Sequence, residues 1–456
     1  MSRSRTRLFA AVLVLALVAV SCSNSKDSST ATTTAAKGST GAPAGGEKTR
    51  NTFKAISGVP GVTDKDISFT AIGTKQNNPL GTCILDCYTD GIKAYFAYRN
   101  SEGGIYGRKL KLNPPVDDQL AQNQAKALEI TSGNDAFGSF QATLLATGWG
   151  DLDSAGVPTY TWGINAAEAA NRSHIFPSVA IRCADCTNRY YPYIAKQAGA
   201  KKAAALGYGV TESSKVCSQS INDSLKKYAK DTGVQAAYFN DGLAFGLPNG
   251  IGPEVTAMKK AGVDFILTCL DLNAMKTLAQ ELKRQGMSNV RLYHPNSYNQ
   301  TFIADNKDLF DGDYVTVQFL PFEADAAGTA LAEYKKWMAK QGSKETELSM
   351  VGWINATLAY QGLLAAGPEF NRDKVTAATN AMTKFTAGGL IRPTDWTVGH
   401  TSYTEATRDS AKDLPCYTFV KVKAGKFVTL APPDKPWLCW SDTSTAWAEP
   451  QPTSFK

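Results

Sequence analysis

The chemistry open to this chain is concentrated in its cysteines. There are nine among 456 residues, against three histidines. Cys183-Ala184-Asp185-Cys186 is a C-x-x-C, a spacing that suits a disulfide, half of a zinc site or a dithiol redox centre. Zinc would need a second pair of ligands, and His174, His294 and His400 do not stand at ligand spacing. A thioredoxin-like dithiol would open a helix after a strand, whereas this one lies between Ile181 and a tyrosine-rich run. A structural disulfide is the favoured reading. Asp117-Asp118 is the other pair with chemical potential. Neighbours on an extended chain point to opposite faces, so loop and cap roles are expected rather than shared acid–base work. The chain has no G-x-S-x-G, no H-E-x-x-H and no P-loop. An enzyme therefore has little to rest on, and no metal or cofactor is expected.

The ninth cysteine sits apart. Arg3, Arg5 and Arg7 precede 13 apolar residues, Leu8 to Val20, and then Ser21-Cys22. A positive start, an apolar run too short to span a bilayer and a small residue before the cut make a secretory signal. With cysteine directly after the cut, the pattern resembles a lipoprotein signal, although Ala19 stands where leucine is usual. It implies lipidation at Cys22 and a protein held by two acyl chains on the outer face of a bacterial cell membrane. Residues 22–62, rich in Ser, Thr, Ala and Gly, read as a flexible tether that cannot bury enough surface to order itself.

Export to an oxidising compartment makes the other cysteines legible. Eight remain: Cys83, Cys87, Cys183, Cys186, Cys217, Cys269, Cys416 and Cys439. Eight allow 105 pairings. Sequence proximity favours 83–87, 183–186 and 416–439, which leaves 217–269. The net charge of +7 includes the three leader arginines, so the mature body is only mildly basic. No basic stripe with interleaved aromatics is present, and nucleic acid is not an expected partner.

The elements that would position a site alternate. Strands are expected at 66–73, 109–112, 136–140 and 157–161, and helices at 91–100, 119–131 and before Gly156. After a break near 174–184 the rhythm restarts. Strands are expected at 202–207, 234–239, 263–269, 290–293 and 314–319, separated by helices at 214–231, 253–261 and 272–284. Long helices follow at 327–341 and 350–366, then a hairpin of 416–422 with 426–430 turned at Ala424-Gly425. Alternating β and α predicts parallel sheets covered on both faces. The expected fold is α/β: two doubly wound parallel-sheet lobes joined by a multi-crossing hinge. The expected limits are a signal at 1–21, the tether at 22–62, the first lobe at 63–178 and the second at 179–318. Residues 319–400 return to the first lobe, and 401–456 form a hairpin and tail. Ligands in such sheets bind beyond the carboxyl ends of the strands, and two lobes across a hinge make a cleft that can close.

The chain resembles the type I periplasmic substrate-binding proteins, specifically the branched-chain amino acid binding family of ABC importers. The likeness rests on Gly91-Ile92 through Glu102-Gly103-Gly104-Ile105, Gly107-Arg108-Lys109-Leu110, Val116-Asp117-Asp118, Ala155-Gly156-Val157-Pro158 and Met258-Lys259-Lys260-Ala261-Gly262-Val263-Asp264. Their order and spacing carry it more than any one of them. The resemblance implies a bound solute, an ABC permease as partner, a membrane reached through the lipid anchor and a monomeric protein. It also implies ligand contacts from Ala142 and Thr143, from the turn Trp162-Gly163-Ile164-Asn165, from Asp271 where an aromatic residue is usual, and from Asn296 where an acid is usual. Gln76 after the first strand, and Tyr208 and Tyr298 near strand ends, complete the candidate set.

The departures bear on the ligand. A buried ammonium needs a paired charge, and Asn296 offers only a dipole. Asn165 replaces the hydroxyl that would grip a carboxylate. The expected ligand is therefore a small polar or aromatic-bearing solute rather than leucine, isoleucine or valine. Asp271 could restore ammonium binding, which keeps a true branched-chain amino acid binder open. A ligand sensor of the same fold acting through a membrane partner is the other alternative.

Overall fold

The run DISFTAIG forms β1, Asp66–Gly73, buried on both faces from Phe69 onward. Continuous burial is the mark of a central strand covered by helices on both sides. The computed structural model describes residues 50–456 apart from 181, 184, 211, 296, 411–413 and 441–444. The signal expected at 1–21, Cys22 and Asn296 lie outside the described residues.

The first sheet also contains β2 (Lys109–Leu112), β3 (Val116–Asp117), β4 (Gly138–Ala142), β5 (Thr159–Thr161) and β6 (Ile175–Pro177). The order is β2-β1-β4-β5-β6, with β3 beside the far end of β1, and every pairing is parallel. The second sheet starts with β7 (Lys202–Tyr208), β8 (Gln235–Leu243), β9 (Phe265–Cys269), β10 (Arg291–His294) and β11 (Tyr314–Val317). These five run parallel in the order β8-β7-β9-β10-β11. Here the sheet departs from the all-parallel expectation. β12 (Cys416–Lys423) adds antiparallel to β11, and β13 (Lys426–Thr429), β14 (Trp437–Cys439) and β15 (Gln451–Thr453) extend the edge antiparallel. The C-terminal strands arrive from the first lobe rather than through a covering helix, so nothing imposes the parallel direction on them. Ala424 and Gly425 turn the hairpin with φ of 51° and 74°, the two positive values a type I′ loop requires.

Two helix boundaries differ from expectation for local reasons. The helix expected at 119–131 begins at Asn123. Gln119 and Leu120 have φ of 51° and 75°, held in a loop by the two aspartates. Asp117 accepts the backbone N–H groups of Lys75, Gln76 and Gln119, and Asp118 accepts that of Leu120. The helix expected from Gly91 spans Leu85–Ser101, with Gly91 in its interior. It lies against the 20-residue helix Glu347–Ala366, which is buried almost all round.

The chain passes between the lobes three times: after β6, after β11, and from the helices at 331–380 back to β12. The first and third passages brace each other. Arg182 donates to the Thr401 carbonyl at 3.0 Å, and the Tyr403 N–H donates to the Arg182 carbonyl at 3.0 Å. Glu405 accepts from Thr187 and from Lys227, each at 2.6 Å. Four disulfides join Cys83–Cys87, Cys183–Cys186, Cys217–Cys269 and Cys416–Cys439, the pairing that sequence proximity favours. Cys183–Cys186 lies in the first passage, with the Asp185 carboxylate close by. Its sulfurs are bonded to one another rather than offered as thiolates.

Candidate functional site

A cavity of about 530 Å³ opens between the lobes, a size suited to a small organic molecule. Its wall follows from topology. From the first lobe come Pro79, Leu80 and Thr82 after β1, Leu120 after β3, Leu144 and Leu145 after β4, and Trp162 to Asn165 after β5. From the second come Tyr208 and Val210 at the end of β7, Phe245 after β8, Cys269 to Leu272 at the end of β9, and Pro295 after β10. All stand at or just beyond the carboxyl ends of parallel strands, where such sheets bind ligands. Glu347 and Leu348 complete the wall from the first turn of the 347–366 helix.

The second-lobe wall is rigidly wired. The Ser214 hydroxyl accepts the Tyr208 N–H at 2.8 Å and donates to the Cys269 carbonyl at 2.6 Å, tying the ends of β7 and β9 together. Cys217–Cys269 locks the following helix to the same strand end. Asp271 caps the helix Leu272–Arg284, accepting the N–H groups of Asn273 at 2.9 Å and Ala274 at 3.1 Å. Its second oxygen accepts the Tyr208 hydroxyl. Burial and then the Asp271 charge push the Tyr208 phenol well above its ordinary range, so it stays a donor. The Asp271 side chain therefore organises this part of the wall.

On the first-lobe side, the Asn165 amide donates to the Thr143 carbonyl at 3.0 Å, which fixes the turn after β5. Trp162 is buried in that turn and lines the cavity. Glu347 is half-buried in the wall, and surrounding protein pushes its carboxyl up to about 7. No ion pair or hydrogen bond engages that carboxylate among the described residues.

Of the sequence candidates, the structure brings Trp162, Gly163, Asn165, Tyr208 and Asp271 to one cavity. Ala142 and Thr143 lie behind it. Ala142 is fully buried at the end of β4, and the Thr143 hydroxyl is spent on the Asp118 carboxylate. Gln76 is in an exposed loop away from the wall, its N–H on Asp117 at 3.0 Å. Tyr298 departs furthest from expectation. It is 2% exposed, donates to Glu323 at 2.5 Å, accepts the Phe322 N–H at 2.7 Å and packs on Phe319, Phe322 and Phe427. It touches only a smaller recess of about 80 Å³ beside the cavity. An aromatic with this many apolar neighbours is drawn into the core, and strand-end position alone does not reveal that. Sequence reasoning missed Leu145, Val210 and Glu347. Glu347 had one available signal, its place after a helix-capping threonine: the Thr346 hydroxyl accepts the Ser349 N–H at 3.1 Å.

No curated protein matches the sequence. Solved structures of similar fold include a fatty acid ABC transporter substrate-binding protein from Thermomonospora curvata, at 17% identity and a TM-score of 0.61, covering 82% of this chain and 93% of that one. A branched chain amino acid ABC transporter protein from Thermus thermophilus with bound valine shares 17% identity at a TM-score of 0.61, covering 81% of this chain and 96% of its own. An ABC transporter solute binding protein from R. palustris in complex with 4-hydroxybenzoate shares 17% identity at 0.62, covering 83% and 98%. At these identities the likeness speaks to fold. The sequence profile of the periplasmic binding proteins matches residues 84–426, three quarters of the chain and both lobes with the cleft between them. A two-lobed α/β chain with its cavity at facing strand ends and this match belongs to the periplasmic binding protein family.

Proposed function

We propose that this protein is an extracytoplasmic solute-binding lipoprotein that captures a small polar or aromatic-bearing solute in the interlobe cleft and delivers it to an ABC importer. The observation that carries the reading is the cavity of about 530 Å³ walled by strand ends from both lobes. The mouth supports it. Val210 of the second lobe is 72% exposed and Leu145 of the first is 46% exposed, two apolar side chains in the same wall. Closure around a solute would cover both. The process is binding alone, by one copy of the chain, with no bond made or broken. The fatty acid, valine and 4-hydroxybenzoate ligands of similar folds fit a cleft whose cargo is set by its loops. Asn165, spent on a backbone carbonyl, offers little grip for an α-carboxylate, which favours cargo other than leucine, isoleucine or valine.

Thermal-shift screening of the purified mature chain against metabolite pools should find a stabilising solute. Trp162→Ala should weaken it by about tenfold or more, the order expected for loss of a buried aromatic contact. A screen in which stabilisation is the same in Trp162→Ala places binding elsewhere. Anchoring at Cys22 has its own test: Cys22→Ala should leave the membrane fraction, and a variant that stays processed and membrane-bound contradicts the lipoprotein assignment.

A further inference from the structure

Deepening the solute-capture reading, we infer that the cleft selects a cationic solute, one with an amine or amidinium nitrogen on an apolar or aromatic frame, with Glu347 as its counter-ion. Two carboxylates, Asp271 and Glu347, are in the cavity wall, and no lysine, arginine or histidine is among its described lining residues. The two differ in state. Asp271 is satisfied by two backbone N–H groups and the Tyr208 hydroxyl. Glu347 has no partner of either kind among the described residues. Glu347 also borders the adjoining recess, which Lys344 and Glu345 line, but Lys344 makes no ion pair with it among the described residues and does not reach the cavity wall.

A carboxylate partly withdrawn from water without a partner is costly, and it resists ionisation until a cation arrives. Its raised pKa fits that condition. A ligand cation would supply the missing charge, while Trp162, Tyr208 and Phe245 present aromatic faces to its frame. An anionic ligand would meet two carboxylates with no cation to offset them. The same logic separates this chain from a zwitterion binder: Asn165 is spent on a backbone carbonyl, and the unpaired acid comes from the 347–366 helix.

The test uses three probes of one shape on the mature chain: phenethylamine, 2-phenylethanol and phenylacetate, titrated by calorimetry at neutral pH. The amine should bind about tenfold to hundredfold more tightly than the alcohol, and phenylacetate weakest, the span of one hydrogen bond to a charged group. Glu347→Gln should bring phenethylamine down to the affinity of 2-phenylethanol. It should also melt no lower than the parent without ligand, because the carboxyl it replaces has no protein partner to lose. Binding that ignores probe charge, binding of none of the three, or a preference for the amine that persists in Glu347→Gln overturns the inference. Solute capture fails separately, only if no solute of any charge gives protection that depends on Trp162.

Discussion

Gly352→Val destabilises the first lobe by about 3 kcal/mol or more, beyond the usual cost of overpacking because the obstructing atoms are backbone. A Cβ on Gly352 would lie 2.1 Å from the Tyr88 carbonyl oxygen, and a Cβ on Gly91 would lie 1.7 Å from the Ser349 carbonyl oxygen. The two glycines let the helices 85–101 and 347–366 cross backbone to backbone, and neither carbonyl can step aside without breaking its own helix. The contact also fixes the first turn of the second helix, where Glu347 enters the cleft wall. Gly91→Ala should act in the same direction. Urea unfolding measures the effect, and a Gly352→Val midpoint equal to the parent's would mean the helices are not held this closely.

Cys217→Ser/Cys269→Ser lowers stability by about 4 kcal/mol, the loop-entropy value for a crosslink closing 52 residues. The effect reaches the site as well, because both cysteines line the cavity. Solute affinity should fall along with stability. Cys183→Ser/Cys186→Ser closes a sequence separation of only 3 and should cost clearly less, leaving solute affinity intact. Parallel denaturation curves under non-reducing conditions check the order. A larger loss from the 183–186 pair would return that motif to a role beyond local stapling.

The βα alternation was legible because each element carries its own period and its own stops. β1 shows this in DISFTAIG, as does the helix Leu272–Arg284 with Met275, Leu278 and Leu282 buried on one face. The hairpin turn was legible in Ala424-Gly425 for the same local reason. Gly91 was misleading. A glycine inside a helix is unfavourable in isolation, so it reads as a boundary, and its purpose is visible only against Gly352, far away in sequence. The direction of β12 was hidden too, since the edge it joins is chosen by a return from the other lobe.

The site divides along the same line. Trp162, Asn165, Tyr208 and Asp271 follow strands and line the cavity; strand-end position placed Tyr208, and the family resemblance placed the other three. Thr143 and Tyr298 also follow strands but turn to other partners, Asp118 and Glu323. Which neighbour wins a hydroxyl depends on loop geometry that periodicity does not encode. Glu347 belongs to an element whose approach to the cleft follows from helix crossing rather than from any strand.

Native mass spectrometry of the purified chain shows whether the cleft holds one small solute. A single non-covalent adduct is expected, either carried from the source or added from the screen, of a size that about 530 Å³ can enclose, and depleted in Trp162→Ala. A chain that stays free of adducts through every solute pool, or that binds one identically with Trp162 removed, would contradict it.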